Sequence, residues 1–273
     1  MNKSIERQIK LIYNKVYKSV FTSSTIDLLS KGDTDSVNLI LGKLQSSDLY
    51  NKFAERFSKE LAKKGLANQR GIWRKYFEAA KKAHYVGLPI TFSQYEKQIM
   101  RKAIENNFQM IKSIPDEMIK MLNHKYSNKL IEEVVQNKIS RGSFRKQLEK
   151  HGVTNSKVIA RTETAKLQTV ILENRATDLG SIVYEWIASN DKRTRPSHRA
   201  MNGVIVFWKQ PKPQLDGMIG HAGEFPNCRC SPNPIMDEDD LDESYYKVYN
   251  YKSNQVVRMT RNELLNAIKK GEL

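Results

Sequence analysis

Two cysteines stand one residue apart in Cys228-Arg229-Cys230, and they are the only two in the chain. Thiols at that spacing bridge each other only with strain. In a reducing compartment such a pair more often binds metal or does redox chemistry. His198 lies 30 residues upstream and His221 seven residues before Cys228; Asp191 shares a polar stretch with His198. Structural zinc takes four Cys, His or carboxylate ligands tetrahedrally. Cys228, Cys230 and His198, completed by Asp191 or His221, form a candidate set for one structural Zn2+. The spacing matches no common zinc finger, whose paired cysteines lie about two to four residues apart.

The same residues admit a second chemistry. A zinc- or cysteine-dependent hydrolase, a nuclease or protease, would use Cys228 or Cys230 as nucleophile and His198 or His221 as base. No third, orienting group stands at a recognisable spacing, and the chain lacks a Gly-rich phosphate loop, a GxSxG elbow and an HExxH helix. The expectation is therefore a non-enzymatic protein. His84, His124 and His151 fall in helical or helix-end contexts, where a solvated or satisfied histidine is ordinary. Arg161 and Glu163, in Arg161-Thr162-Glu163-Thr164, are expected to make an ionic contact with the loop carrying Lys192, Arg193 and Arg195.

The elements that must position these groups change character along the chain. The first 150 residues read as helices. Ile5, Ile9, Ile12, Val16 and Val20 recur at helical spacing, and Lys31-Gly32-Asp33 interrupts. Leu41, Leu44, Leu49, Phe53, Phe57 and Leu61 form one further stripe, ending near Gly65. Ile72 to Ala80 follows, stopped by Gly87-Leu88-Pro89. Ser93 with Glu96 reads as a capping box, and Pro115 as a first helical position. Gly142 and Gly152 punctuate a short basic segment before a long helix, Thr154 to Leu179, stopped by Gly180. Two β-prone runs come next, Ile182 to Ile187 and Gly203 to Trp208, with a polar loop between them. Some 26 loop-like residues after Trp208 are too many for a small module unless something pins them. A strand over Gln255 to Met259 and a helix opened by a Thr260/Glu263 capping box close the chain.

The fold class is thus α+β and mostly helical: a helical N-terminal arm, then a small module with a short β-sheet and a long pinned loop. The expected divisions are a basic helical arm over 1–152, the module over 153–236, and an acidic linker with a strand and helix over 237–273. Of the 273 residues, 46 are Lys or Arg and 30 Asp or Glu, leaving a net charge of +16. Residues 1–150 hold 29 basic and 15 acidic residues, a surplus of 14. Such a surplus suits contact with a polyanion such as nucleic acid. No base-reading motif is present, so that contact would be with phosphates and non-specific. No window approaches the roughly 18 apolar residues of a membrane span, and no signal-peptide core follows the N-terminus. The sequence reads as a soluble protein of a reducing compartment.

Taken in order, several pieces resemble one phage family. They are Arg161-Thr162-Glu163-Thr164, Glu185-Trp186, the stretch from Asp191 through Arg193 and Arg195 to His198, Gly203, the Pro211 and Pro213 turn, Gly223, and Pro226-Asn227-Cys228-Arg229-Cys230. As a set, over residues 150–235, they are similar to the phage Mu protein F-like domain, also called the phage head morphogenesis domain. The resemblance implies a minor head (minor capsid) protein, low in copy number and non-enzymatic. It would associate with the portal protein inside the head during assembly and contact packaged double-stranded DNA. Major capsid or scaffold protein is a further partner, and no membrane is involved. The chain would be found in the virion interior, and in the host cytoplasm during assembly. The motif core carried over is Arg161, Glu163, Trp186, Asp191, Arg193, Arg195, His198, Gly203, Cys228 and Cys230. A stand-alone basic DNA-binding module unrelated to virions is the remaining alternative.

Overall fold

The computed structural model describes residues 3–67, 70–82 and 91–271. In chain order the helices α1 (Lys3–Val20), α2 (Ser23–Ser30), α3 (Thr34–Ser46), α4 (Asp48–Ala67), α5 (Arg70–Lys82), α6 (Phe92–Lys112), α7 (Ile114–Leu122), α8 (Lys125–Val135) and α9 (Arg141–Asp178) come first. Then follow β1 (Val183–Ile187), α10 (Pro196–Ala200), β2 (Val204–Phe207), β3 (Gln214–Leu215), β4 (Met218–Ile219) and β5 (Ser231–Pro234). A 3-10 turn at Glu238–Asp240 leads to β6 (Tyr245–Asn250), β7 (Gln255–Thr260) and α11 (Arg261–Lys270). The chain is α+β and mostly helical, as its periodicity implies.

The described chain divides into two compact units that interleave in sequence. One unit comprises residues 2–63 and 104–163, the other 64–103 and 164–273. Residue 152 marks no boundary, because it lies inside the 38-residue α9. Gly142 and Gly152 do not break that helix. A Cβ at residue 152 would lie 2.5 Å from the Tyr17 ring, so glycine here admits a close neighbour rather than a turn.

In the first unit the stripe Ile5, Ile9, Ile12, Val16 and Val20 is buried on α1. The break at Lys31-Gly32-Asp33 is real: Gly32 has φ +81°, and Asp33 caps α3 by accepting from the Ser36 N–H at 3.0 Å. The stripe from Leu41 to Leu61 is not one helix. Ser47 separates α3 from α4, its hydroxyl accepting the Tyr50 N–H at 3.2 Å, and Leu49 is 80% exposed. His124 is the N-cap of α8, its Nδ1 accepting from the Tyr126 N–H at 3.2 Å. Arg161 pairs with Glu6 of α1 at 3.2 Å.

In the second unit α6 starts two residues earlier than expected. The box is formed by Thr91 and Gln94, with the Thr91 N–H donating to Gln94 Oε1 at 2.7 Å and the Gln94 N–H to Thr91 Oγ1 at 3.3 Å. Ser93 lies within the helix, and Glu96 pairs with Arg70 at 2.7 Å. The expected stop at Gly87-Leu88-Pro89, and His84, lie outside the described residues. The sheet order is β5-β1-β2-β6-β7, antiparallel throughout except for the parallel β2–β6 pair. β6 falls just after the acidic stretch, where only a linker is expected.

Alternation along β1 and β2 gives the sheet two buried faces. Val183, Ile205 and Phe207 turn to one face, where they join Leu241, Val248, Leu264 and Leu265. The Thr260/Glu263 capping box that opens α11 is present in full. Tyr184 and Trp186, opposite Val206 and Val204, turn to the other face. Both are fully buried there, beneath the loops that carry the histidines and cysteines.

Candidate functional site

The loop after β1 is shaped by its own side chains. Asp191 Oδ1 accepts the Arg193 N–H at 2.9 Å. Thr194 Oγ1 accepts the Asp191 N–H at 3.1 Å and meets Ser189 Oγ at 2.9 Å. These local bonds replace ladder bonds that a loop lacks. Pro196 then opens the short α10 at a position where its missing N–H costs nothing. That turn places His198 over Trp186, with ring centroids 5.7 Å apart and nearly perpendicular planes. Gly203, at φ +75°, starts the return into β2, and its N–H donates to the Trp186 carbonyl at 2.9 Å.

The long segment after Trp208 is pinned at several points. β3 and β4 form a hairpin whose turn residues, Asp216 and Gly217, have φ +52° and +73°. Asp-Gly favours this geometry because both central residues need positive φ. Ser197 Oγ donates to Asp216 Oδ2 at 2.9 Å. Arg195 Nη2 donates to the Pro226 carbonyl at 2.9 Å. Gly223, at φ +92°, passes close to α9: a Cβ there would lie 2.6 Å from Thr169 Oγ1 and 3.2 Å from the Cys230 carbonyl oxygen. Thr169 Oγ1 donates to the neighbouring Ala222 carbonyl at 2.8 Å.

These constraints bring three of the expected residues together. His198 Nδ1 lies 3.4 Å from Cys228 Sγ and 3.6 Å from Cys230 Sγ. The three are 2%, 4% and 6% exposed, and their donor atoms lie within 4.8 Å of one another. The Cys228 thiol is lowered to about 4, because the Cys230 S–H and His198 donate to it, as do the N–H groups of Cys230 and Gly223; burial opposes them. Cys230 is pushed up, chiefly by serving as donor to Cys228 and by burial. Its sulfur also receives the Ser189 N–H.

Asp191 and His221 are not part of this cluster. Asp191 makes a two-bond ion pair with Arg229, Nη2 to Oδ1 at 2.6 Å and Nη1 to Oδ2, and that guanidinium holds its carboxyl down at about 2. The residue between the two cysteines thus occupies the carboxylate that would otherwise be a ligand. His221 is fully buried against the same sheet face. Its Nδ1 faces the Tyr184 hydroxyl at 3.1 Å, and its ring stacks edge-on to Tyr184 and Trp208. Of the remaining motif residues, Arg193 is exposed and Arg195 spans the two loops.

Sequence reasoning missed Asp216. Its Oδ2 lies 3.8 Å from His198 Nε2. The Asp216-Gly217 pair is a hairpin signal that a reading of this segment as loop passes over, and nothing local places that carboxylate behind His198. Cys228, His198 and Asp216 therefore line up as thiol, imidazole and carboxylate. Both sulfurs and the ring are buried, and the second thiol stands at nearly the same range from the imidazole as the first.

Residues 128–232 match the family described as phage Mu protein F like protein. That segment is similar to the phage Mu protein F-like family. The match begins in α8, upstream of the resemblance seen in the motifs, and ends in β5, so it takes in α9, the sheet centre and all three clustered donors. The chain is also similar to an uncharacterized protein of Haemophilus influenzae, 32% identical over 131 residues, which cover 45% of this chain. The matched part spans 28% of that relative's length. No solved structure matches the chain. Among the described residues no helix is long and apolar enough to cross a membrane.

Proposed function

We propose that this chain is a phage minor head protein, located in the virion interior, that associates with the portal protein during assembly and binds packaged double-stranded DNA without sequence preference. The match over residues 128–232 carries the reading, and a structural family suits a non-enzymatic role. Major capsid or scaffold protein is a further candidate partner in the same setting.

Charge supports the DNA contact. The unit of 2–63 and 104–163 holds 22 basic and 14 acidic residues, and the unit of 64–103 and 164–273 holds 24 and 16. Each therefore carries +8, so the surplus is not confined to one of them. One dense part is α5, which has Arg70, Arg74, Lys75, Lys81 and Lys82 against Glu78 alone. Arg74, Lys75, Lys81 and Lys82 are exposed while Trp73, Phe77 and Ala80 turn inward. Such a face displaces counterions from phosphates, and each lost contact flattens the salt dependence by about one.

Binding of the full chain to duplex DNA of unrelated sequences should give one affinity that falls steeply with salt. The triple variant Arg74→Gln/Lys75→Gln/Lys82→Gln should reduce the slope of log K against log salt by about 3. A salt-independent affinity, or an unchanged slope in the variant, refutes DNA binding by this face. For the portal contact, co-expression with the portal protein of the same phage should give a complex that survives affinity purification through a tag on this chain. Clean separation of the two refutes that part.

A further inference from the structure

We propose that His198 Nδ1, Cys228 Sγ and Cys230 Sγ form a three-ligand zinc centre, whose histidine is oriented by Asp216 and whose fourth position is left to a ligand from outside the cluster. The distances carry the argument first. With Zn–S of about 2.3 Å and Zn–N of about 2.0–2.1 Å, a tetrahedral centre places sulfur and nitrogen roughly 3.6 Å apart. The two separations observed here are 3.4 and 3.6 Å. One ion at those bond lengths from the three atoms would satisfy both with little movement.

The surroundings match a metal-bound state. A histidine that ligates through one nitrogen commonly donates its other N–H to a carboxylate, which fixes ring and tautomer. His198 Nε2 has Asp216 Oδ2 at 3.8 Å and among the described residues no closer hydrogen-bond partner. The backbone N–H groups of Gly223 and Cys230 point at Cys228 Sγ, and that of Ser189 at Cys230 Sγ, as suits thiolates. Two thiolates and a neutral imidazole exactly balance a divalent ion, so a buried centre would carry no net charge. Soft sulfur donors favour zinc over magnesium or calcium. Asp191 cannot be the fourth ligand while Arg229 holds both its oxygens, and His221 faces Tyr184. The ion would staple the loop after β1 to the stretch between β4 and β5.

The test uses the full chain, expressed without added metal and purified without chelator. Elemental analysis should find one zinc per chain. After chelator treatment under reducing conditions, added Co2+ should give intense visible d–d absorption and a thiolate-to-cobalt charge-transfer band. Cys228→Ser/Cys230→Ser should abolish that band. If that double variant does not fold, Asp216→Asn, at a half-exposed turn position, keeps the proposal open to refutation. It should retain the spectrum and weaken Co2+ binding by about 10- to 100-fold. No zinc together with no charge-transfer band on adding Co2+ to reduced protein overturns the centre. So does a band that persists in folded Cys228→Ser/Cys230→Ser. An unchanged affinity in Asp216→Asn overturns the orienting role.

Discussion

Trp186→Ala should lower the stability of the chain by about 3–5 kcal/mol, the ordinary cost of emptying a large aromatic site in a core. Trp186 is fully buried at the centre of the sheet, opposite Val204 on one side and Pro232 on the other. Its ring supports His198 and touches Phe225, at centroid distances of 5.7 and 6.1 Å. Removing it opens a cavity under the loops and frees the imidazole to leave the two sulfurs. Urea unfolding of the full chain measures the effect as a fall in midpoint. Leu49→Ala, at a position 80% exposed, should change stability by no more than about 0.5 kcal/mol. Equal effects for the two would show that the Trp186 face is not a packed core.

The second large effect is a dependence on pH. Burial lowers His221 from 6.5 to about 4. Between those values the unfolded chain binds a proton at this position and the folded chain does not. The contribution of His221 to stability therefore rises with pH across that window and is flat above it. At about 1.4 kcal/mol per pH unit, acidification from pH 6.5 to pH 4 should cost up to about 3 kcal/mol. The groups facing His221 set this balance. Tyr184 offers its hydroxyl to Nδ1, and Glu224 accepts the His221 backbone N–H at 2.7 Å while pairing with Lys212 at 3.0 Å. Glu224 is itself held below its ordinary value despite burial, so its loss adds to the acid side in the same direction. Asp191, lowered to about 2 by Arg229, is lost only at more acid pH. Measured on chelator-treated protein, so that any metal release is removed from the comparison, His221→Gln should make the profile less steep between pH 4 and 6.5, leaving the part due to Cys228 and Glu224. A wild-type profile already flat there would place a charged or solvated His221.

Much of this protein is determined locally, and those parts can be read in the residues. The α1 stripe, the Gly32–Asp33 break, the two central strands and the Thr260/Glu263 box all follow from short-range periodicity and capping. The Cys228/Cys230 and His198 set could be assembled from residue chemistry and from a loop too long to stand unpinned. What remained hidden depends on neighbours far along the chain. Gly152 stays helical because Tyr17 fills the space a Cβ would need. Arg161 goes to Glu6, and a parallel pairing with β2 makes a strand of Tyr245–Asn250. Asp191 and His221 had the right chemistry for zinc, yet Arg229 took the first and the sheet face enclosed the second. Asp216 entered the site through a hairpin that only its tertiary position brings behind His198. Residue type and spacing set which atoms can bond; which of them meet depends on long-range packing, where several partners of equal chemistry compete and geometry selects one.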